Sequence, residues 1–176
     1  MPCEIPPVLS AAMLPPLAPV VIDSLAFARG GLTIEGSIPL ARLPRLADEL
    51  LDRSGSLEIR LHGWQSASKA WLRLEIHGNI MVRCQRCLKS VSLPLGIDGT
   101  LQLIAPGETW PDDDLVDDGA DAIAADEELD VRSLIEDEVL LALPIAPLHA
   151  QCELPLVAGN EYGSSSFAAL AALKKH

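Results

Sequence analysis

Two cysteines stand three residues apart in a cluster of positive charge, within the stretch Arg-Cys-Gln-Arg-Cys-Leu-Lys that spans residues 83–89. A C-x2-C pair in a tight turn directs both thiolates toward one point, which is half of a tetrahedral zinc site. His149 and Cys152, spaced as H-x2-C, can supply two more ligands. The sequence therefore predicts a zinc site made of Cys84, Cys87, His149 and Cys152.

The spacing of these ligands leaves an alternative open. About 60 residues separate Cys87 from His149, which is a long interval for a compact zinc ribbon. Cys84 and Cys87 could instead be two ordinary reduced thiols. A redox dithiol is disfavoured, because such motifs precede a helix and the pattern after Cys87 indicates a strand. Cys3 falls in a Pro-rich amino-terminal stretch and is left out of the ligand set.

Alternating apolar residues indicate the element that positions the cysteines. Every second residue is apolar or glycine from Leu72 to Cys84, and a similar alternation resumes from Val91 to Leu103. Two such runs joined by a short turn predict a β-hairpin with the cysteines at its tip. Shorter runs, Leu32–Ile38 and Leu57–Leu61, predict further strands.

Three segments have helical patterns. Ala41–Arg53 contains helix-forming residues and ends before Ser-Gly, Val131–Leu143 has Asp130 as a cap, and Ser165–Lys175 is amphipathic. Together with the strands they predict an α+β fold, in which helices pack on a curved antiparallel sheet with a long central hairpin and an acidic irregular loop. The predicted organisation is a Pro-rich arm (1–20), one domain (21–160) and a carboxyl-terminal amphipathic tail (161–176).

The net charge of −12 is unevenly distributed. Residues 1–90 contain ten Lys or Arg and eight Asp or Glu, whereas residues 91–176 contain three and seventeen. The segment 108–130 has eleven acidic residues and no basic one, which predicts a solvated loop. This loop either aids solubility or attracts a basic partner. The aspartates predicted to bind that partner are Asp112, Asp113, Asp114, Asp117 and Asp118.

Composition and motifs disfavour several classes of function. Apolar residues make up 49% of the chain, but no apolar run is long enough to span a membrane. The amino end lacks a basic region and is broken by prolines, so we expect a cytoplasmic protein without a secretion signal. Aromatic residues make up 3%, which disfavours a surface that stacks RNA bases. No nucleophile elbow, phosphate loop or H-E-x-x-H motif is present, and the sequence indicates neither an enzyme nor a small-molecule substrate.

Three parts of the chain resemble a known family. They are C-Q-R-C-L at 84–88, the segment 129–152 with its block I-E-D-E-V-L-L-A-L-P-I-A-P-L-H, and S-F-A-A-L-A-A-L-K-K at 166–175. This combination is similar to the YceD-like family, the bacterial large ribosomal RNA subunit accumulation proteins. The resemblance implies a cytoplasmic, non-catalytic factor needed for large-subunit (23S) ribosomal RNA to accumulate.

The charge split suggests how such a factor binds a ribosome assembly intermediate. Cations at the hairpin tip and on the strands would contact RNA phosphates, and the acidic loop would bind a basic ribosomal protein of the large subunit. An adaptor or chaperone that binds only the ribosomal protein is the first alternative, and a metal- or thiol-dependent enzyme is a more distant one. The residues predicted to bind RNA are Arg83, Arg86, Lys89, Arg73 and Arg60.

Overall fold

The computed structural model describes residues 15–17, 21–111 and 120–153. The strands in these ranges are β1 (Val21–Ile22), β2 (Thr33–Pro39), β3 (Leu50–Asp52), β4 (Ser56–Ser66), β5 (Lys69–Arg83), β6 (Ser90–Ile104), β7 (Ala120–Ala124) and β8 (Leu129–Asp130). The α-helices are α1 (Ser24–Arg29) and α2 (Val131–Ala142), and 3-10 turns span Leu40–Arg42 and Pro44–Leu46.

Six of the strands form one sheet. Its order is β2-β4-β5-β6-β7, and β3 pairs with β5 beside this path. All neighbours are antiparallel except β6 and β7, which run parallel from the pair Thr100 and Ala120 to the pair Ile104 and Ala124. The sheet is therefore mixed, and β1 and β8 pair separately with each other.

The hairpin of β5 and β6 is the longest feature of the sheet. Each strand has 15 residues, and they pair without a break from Ala70 opposite Leu103 to Arg83 opposite Ser90. At about 3.3 Å per residue each strand extends roughly 50 Å. The predicted hairpin is present, and the loop 84–89 lies at its tip.

The core covers one face of this sheet. Alternate residues of β4 and β5, such as Leu61 and Leu74, are fully buried. Phe27 of α1 and Ile135 of α2 belong to the same apolar cluster, so both helices pack on this face. Helix α2 begins as predicted, with the Asp130 carboxylate accepting a hydrogen bond from the backbone N–H of Arg132 at 3.0 Å.

The predicted α+β class is wrong in its balance of helix and strand. Of the described residues, 48% are in strands and 19% are in helices of all types, and these residues include only two α-helices. The sheet is mixed because the chain crosses over after β6 and returns as β7 beside it in the same direction. The protein is thus a mostly β structure with a mixed sheet.

The predicted helix Ala41–Arg53 is also absent. Two 3-10 turns and strand β3 occupy this segment. Pro44 explains the difference, because proline lacks a backbone N–H and disfavours the α conformation in the residue before it. Leu43 accordingly has φ −109° and ψ 81°. Most leucines in and next to this segment are nevertheless buried, at Leu40, Leu43, Leu46 and Leu50, whereas Leu51 is exposed.

The predicted acidic loop 108–130 is interrupted by regular structure. Residues 120–124 form β7 and residues 129–130 form β8. The acidic residues of β7 and β8 therefore belong to paired strands and not to an irregular loop. The predicted amphipathic segment Ser165–Lys175 and most of the predicted Pro-rich arm lie outside the described residues, and the domain boundaries stay a prediction.

No helix in the described part of the chain is long and apolar enough to cross a membrane.

The contact of α1 with β4 gives a test of this packing. A Cβ atom on Gly63 would lie 2.7 Å from Phe27 Cδ1 and 2.9 Å from Ala28 Cα, whereas one on Gly96 would meet nothing within 4 Å. We expect Gly63→Ala to lower the free energy of unfolding by about 1–3 kcal/mol through overpacking, and Gly96→Ala to leave it unchanged or slightly higher. Urea denaturation of both variants measures this, and equal effects would contradict the described packing.

Candidate metal centre and nucleic-acid interface

The loop at the hairpin tip holds Cys84 and Cys87 in a closed turn. The backbone N–H of Cys84 donates to the Lys89 carbonyl and that of Leu88 donates to the Cys84 carbonyl, each at 2.9 Å. Both cysteine side chains are buried. The turn therefore directs the two sulfurs inward, and the side chains between and after them face solvent.

The segment that follows α2 brings the other two predicted ligands to this loop. The Gln85 N–H donates to the Pro147 carbonyl at 2.9 Å. Arg86 Nη1 donates to the Cys152 carbonyl at 3.4 Å. These contacts attach residues 147–152 to the tip although they are more than 60 positions away in sequence. We call this segment the strap.

The four predicted ligands form one cluster. The ligand atoms of Cys84, Cys87, His149 and Cys152 all lie within 4.8 Å of one another. Cys84 Sγ is 3.7 Å from Cys152 Sγ, and Cys87 Sγ is 3.3 Å from His149 Nδ1. Zinc bonds of ~2.3 Å to sulfur and ~2.0 Å to nitrogen require ligand separations of about 3.5–3.8 Å in a tetrahedron. The side chains are therefore placed so that they could hold a metal ion.

A hydrogen bond of one ring nitrogen of His149 orients the ring so that the other nitrogen faces the cluster. His149 Nε2 lies 3.0 Å from the carbonyl oxygen of Ser90. A carbonyl only accepts hydrogen bonds, so Nε2 carries the proton and the lone pair is on Nδ1, which faces Cys87. This arrangement, in which a backbone carbonyl fixes the tautomer of the imidazole, is typical of metal-binding histidines.

The environment also favours ionisation of one thiol. Burial acts to raise the pKa of Cys84, but backbone N–H groups of Cys87, His149 and Arg86 face its sulfur and lower the pKa to about 5. Burial raises the pKa of Cys152, and the neighbouring sulfurs of Cys84 and Cys87 raise it further. One thiolate is stabilised by the protein alone, whereas three together need a cation between them.

Three of the predicted RNA-binding cations surround this cluster. Arg83, Arg86 and Lys89 are all exposed. None of them forms a salt bridge with any residue in the described ranges. The hairpin tip is therefore a small basic surface, and we call these three residues the tip cations.

The other two predicted cations lie elsewhere. Arg73 is ten residues from Arg83 along β5, about 33 Å away. It forms a two-pronged contact with Asp98, with Nε 2.8 Å and Nη2 2.6 Å from the carboxylate oxygens. This contact raises the pKa of Arg73 and lowers that of Asp98. Arg60 forms salt bridges with two carboxylates, with its Nε 3.1 Å from Glu35 Oε1 and 3.8 Å from Glu75 Oε2. The structure thus separates the five predicted residues into two groups.

The aspartates predicted to bind a basic partner, at positions 112, 113, 114, 117 and 118, lie outside the described residues. The described chain reaches Pro111 after β6 and resumes at Ala120, the first residue of β7. The residues that follow them in the acidic segment are therefore anchored on the sheet as β7.

Leu88 is a feature of the tip that the sequence did not indicate. It has φ 63°, in the left-handed region where glycine is favoured, and its side chain is 56% exposed. The sequence gives no sign of this conformation, because a left-handed residue is expected at glycine and leucine rarely adopts it. The tip therefore presents a strained apolar side chain between the cations.

The conformation of Leu88 predicts an unusual stability change. Leu88→Gly should raise the free energy of unfolding by about 0.5–1 kcal/mol, because a left-handed residue with a side chain costs about 1–2 kcal/mol and glycine loses more entropy on folding. Leu51, which is also exposed but lies in strand β3, is the matched control, and Leu51→Gly should be destabilising. Loss of stability in both variants, measured by denaturant midpoints, would show that Leu88 is unstrained.

Comparisons with known proteins agree with the resemblance seen in the sequence. A family model described as large ribosomal RNA subunit accumulation protein YceD matches residues 72–174, a range that contains the hairpin tip and all four clustered ligands. The large ribosomal RNA subunit accumulation protein YceD of Haemophilus influenzae is 25% identical over 141 residues, covering 77% of this chain and 79% of that protein. No solved structure matches significantly. Since the family model covers more than half of the sequence, the chain belongs to the YceD family.

Proposed function

We propose that this protein is a non-catalytic cytoplasmic factor that supports accumulation of large-subunit (23S) ribosomal RNA by binding an assembly intermediate through its hairpin tip. The name of the Haemophilus relative supports the process. The observation that carries the binding mode is a set of three exposed cations at the end of a long ribbon, beside the partly buried Cys and His cluster. None of these cations forms a salt bridge with a described residue. Such a tip can reach phosphates that a flat surface cannot.

We further propose that the cluster binds zinc in a structural role. Three cysteines and one histidine fill all four tetrahedral positions, whereas catalytic zinc sites keep one position open. Bound zinc would join the tip loop to the strap and so fix the tip cations relative to the sheet. This closed ligand set supports a protein that binds rather than catalyses.

Zinc content tests this part of the proposal. We expect one zinc per chain in the purified protein and loss of it in Cys152→Ser, because three remaining ligands bind far more weakly. Cys3→Ser is the matched control and should retain zinc, because the proposed set of four ligands does not include Cys3. Metal analysis after purification without added zinc gives the stoichiometry, and hydrogen exchange of residues 147–152 should accelerate when the metal is chelated. A zinc-free wild-type protein with a protected strap would refute a structural metal.

The tip cations should dominate the electrostatic part of RNA binding. Arg86 and Lys89 lie in the loop and Arg83 at its start, so one RNA segment can meet all three. Arg60 and Arg73 would form a weaker contact, because an RNA phosphate must compete with the carboxylates of Glu35, Glu75 and Asp98. We therefore expect the three tip cations to contribute more to RNA affinity than Arg60 and Arg73, which already contact carboxylates.

Salt dependence distinguishes these groups. Replacing all three tip cations by alanine should reduce the slope of log affinity against log salt concentration by about 2, since each phosphate contact contributes about 0.7 for single-stranded RNA. The measurement is binding to precursor large-subunit particles at several salt concentrations. A triple variant with the same charge change, Arg29→Ala, Arg53→Ala and Arg132→Ala, is the control and should keep the slope. An unchanged slope in the tip variant would disprove contact of the tip with RNA.

A protein-binding adaptor is the second candidate, and the structure contains a surface that favours it. A groove beside the tip is lined by apolar residues including Val82 and Leu143, with the acidic residues Asp48 and Glu49 outnumbering the one basic residue, Arg83. Ile145 at its edge is fully exposed. Apolar and acidic groups together suit a basic segment of a ribosomal protein. This candidate predicts that affinity capture recovers one basic ribosomal protein after nuclease treatment, and that asparagine at the five aspartates 112, 113, 114, 117 and 118 weakens that capture.

A further inference from the structure

Two tryptophans stand side by side on the sheet face opposite the core. Trp64 on β4 is directly opposite Trp71 on β5. Their ring centroids are 6.1 Å apart and the rings are within 11° of parallel. The ring of His62, two residues before Trp64 on β4, also stacks against Trp64, with centroids 5.9 Å apart and an angle of 9°. The three rings form a ladder across neighbouring strands, which we call the aromatic ladder.

This ladder is on the solvent side of the sheet. Leu61 and Gly63, which flank His62 in β4, are buried, and Leu72, which follows Trp71 in β5, is fully buried. His62, Trp64 and Trp71 alternate with these buried residues along the strands and are only partly buried. Tryptophan is among the largest apolar side chains and is enriched at surfaces that contact a partner. The low aromatic content of the chain disfavoured a base-stacking surface, but the strand register concentrates two of its three tryptophans at one place.

Hydrogen-bonding groups and a cation surround the rings. Lys69 Nζ lies 6.0 Å from the centre of the Trp71 ring and 3.3 Å from Gln102 Oε1. At the other end of the ladder, Thr33 Oγ1 is 2.9 Å from His62 Nδ1. Flat rings beside a lysine and amide or hydroxyl groups are the combination that contacts bases and the adjoining phosphate of single-stranded nucleic acid.

The positions of the carboxylates agree with such a ligand. On β4, β5 and β6 the nearest acidic residues to the row of Trp64, Trp71 and Gln102 are Glu58, Glu75 and Asp98. Each is at least four residues along its strand, which is about 13 Å. Two of them, Glu75 and Asp98, already contact Arg73. A phosphate beside Lys69 would therefore meet little repulsion from these strands.

We propose that the aromatic ladder is a second RNA contact, at which one or two bases of single-stranded RNA stack on Trp64 and Trp71 while Lys69 contacts the adjoining phosphate. The inference rests on the proposed function and adds the class of RNA and the site that recognises it. Trp71 is twelve residues from Arg83 along β5, about 40 Å. The ladder and the tip cations thus contact points of the RNA that are far apart.

The closing experiment measures binding of a labelled single-stranded 20-nucleotide RNA and its duplex to the full-length, zinc-supplemented protein at several salt concentrations. Trp64→Leu with Trp71→Leu should weaken binding to the single strand about 5- to 150-fold, the range that loss of one stacked base gives. Its salt slope should be unchanged, because no charge is removed. Trp110→Leu is the matched control, since Trp110 is 55% exposed outside the ladder, and should bind like the wild type.

A fluorescence measurement covers the case in which the double variant fails to fold. Trp110→Phe leaves the ladder as the only source of tryptophan emission, and single-stranded RNA should quench it while duplex RNA does not. Absence of quenching, or wild-type affinity in the folded double variant, overturns the inference. The proposed function has its own test, the salt slope of the variant without the tip cations. A lower slope in that variant supports contact of the tip with RNA even if the ladder does not bind it. A wild-type protein that binds neither RNA overturns both.

Discussion

The pairing of β5 with β6 is the interaction on which the rest of the structure depends. Its unbroken register from Ala70 to Arg83 fixes which side chains face the core and which face solvent. A shift of one residue would exchange the two faces and would bury the charged residues of β5. The same register places the loop 84–89 at one end of the ribbon and the aromatic ladder near the other, so two dissimilar surfaces share one rigid element.

The strap makes the tip more than a turn between strands. The backbone contact of Gln85 with Pro147 and the ring contact of His149 with Ser90 attach a distant segment to both sides of the loop. Helix α2 makes this possible, because its buried residues pack on the sheet and direct the following chain toward the tip. The ligand cluster is thus a product of the whole fold, although half of it is visible as a local motif.

Sequence patterns predicted the features that depend on local signals. Alternation identified β5 and β6, and the capping residue Asp130 marked the start of α2. Features that depend on tertiary context were not predictable in this way. Pro44 converts a helical pattern into 3-10 turns, β7 pairs in parallel after a crossover, and Trp64 meets Trp71 only through strand register. Residue type and spacing named the four candidate metal ligands, but that these side chains lie together, where they could hold an ion, required the fold.

The long interval between the two halves of the ligand cluster has a consequence for the order of folding. The C-x2-C half is complete once a local hairpin has formed, whereas His149 and Cys152 arrive only after β7 and α2 have been added to the sheet. Closing a loop of more than 60 residues early is costly in chain entropy. If the cluster binds zinc as proposed, capture of the ion by all four side chains is a late event, and a fully coordinated ion would mark a molecule whose chain has finished folding.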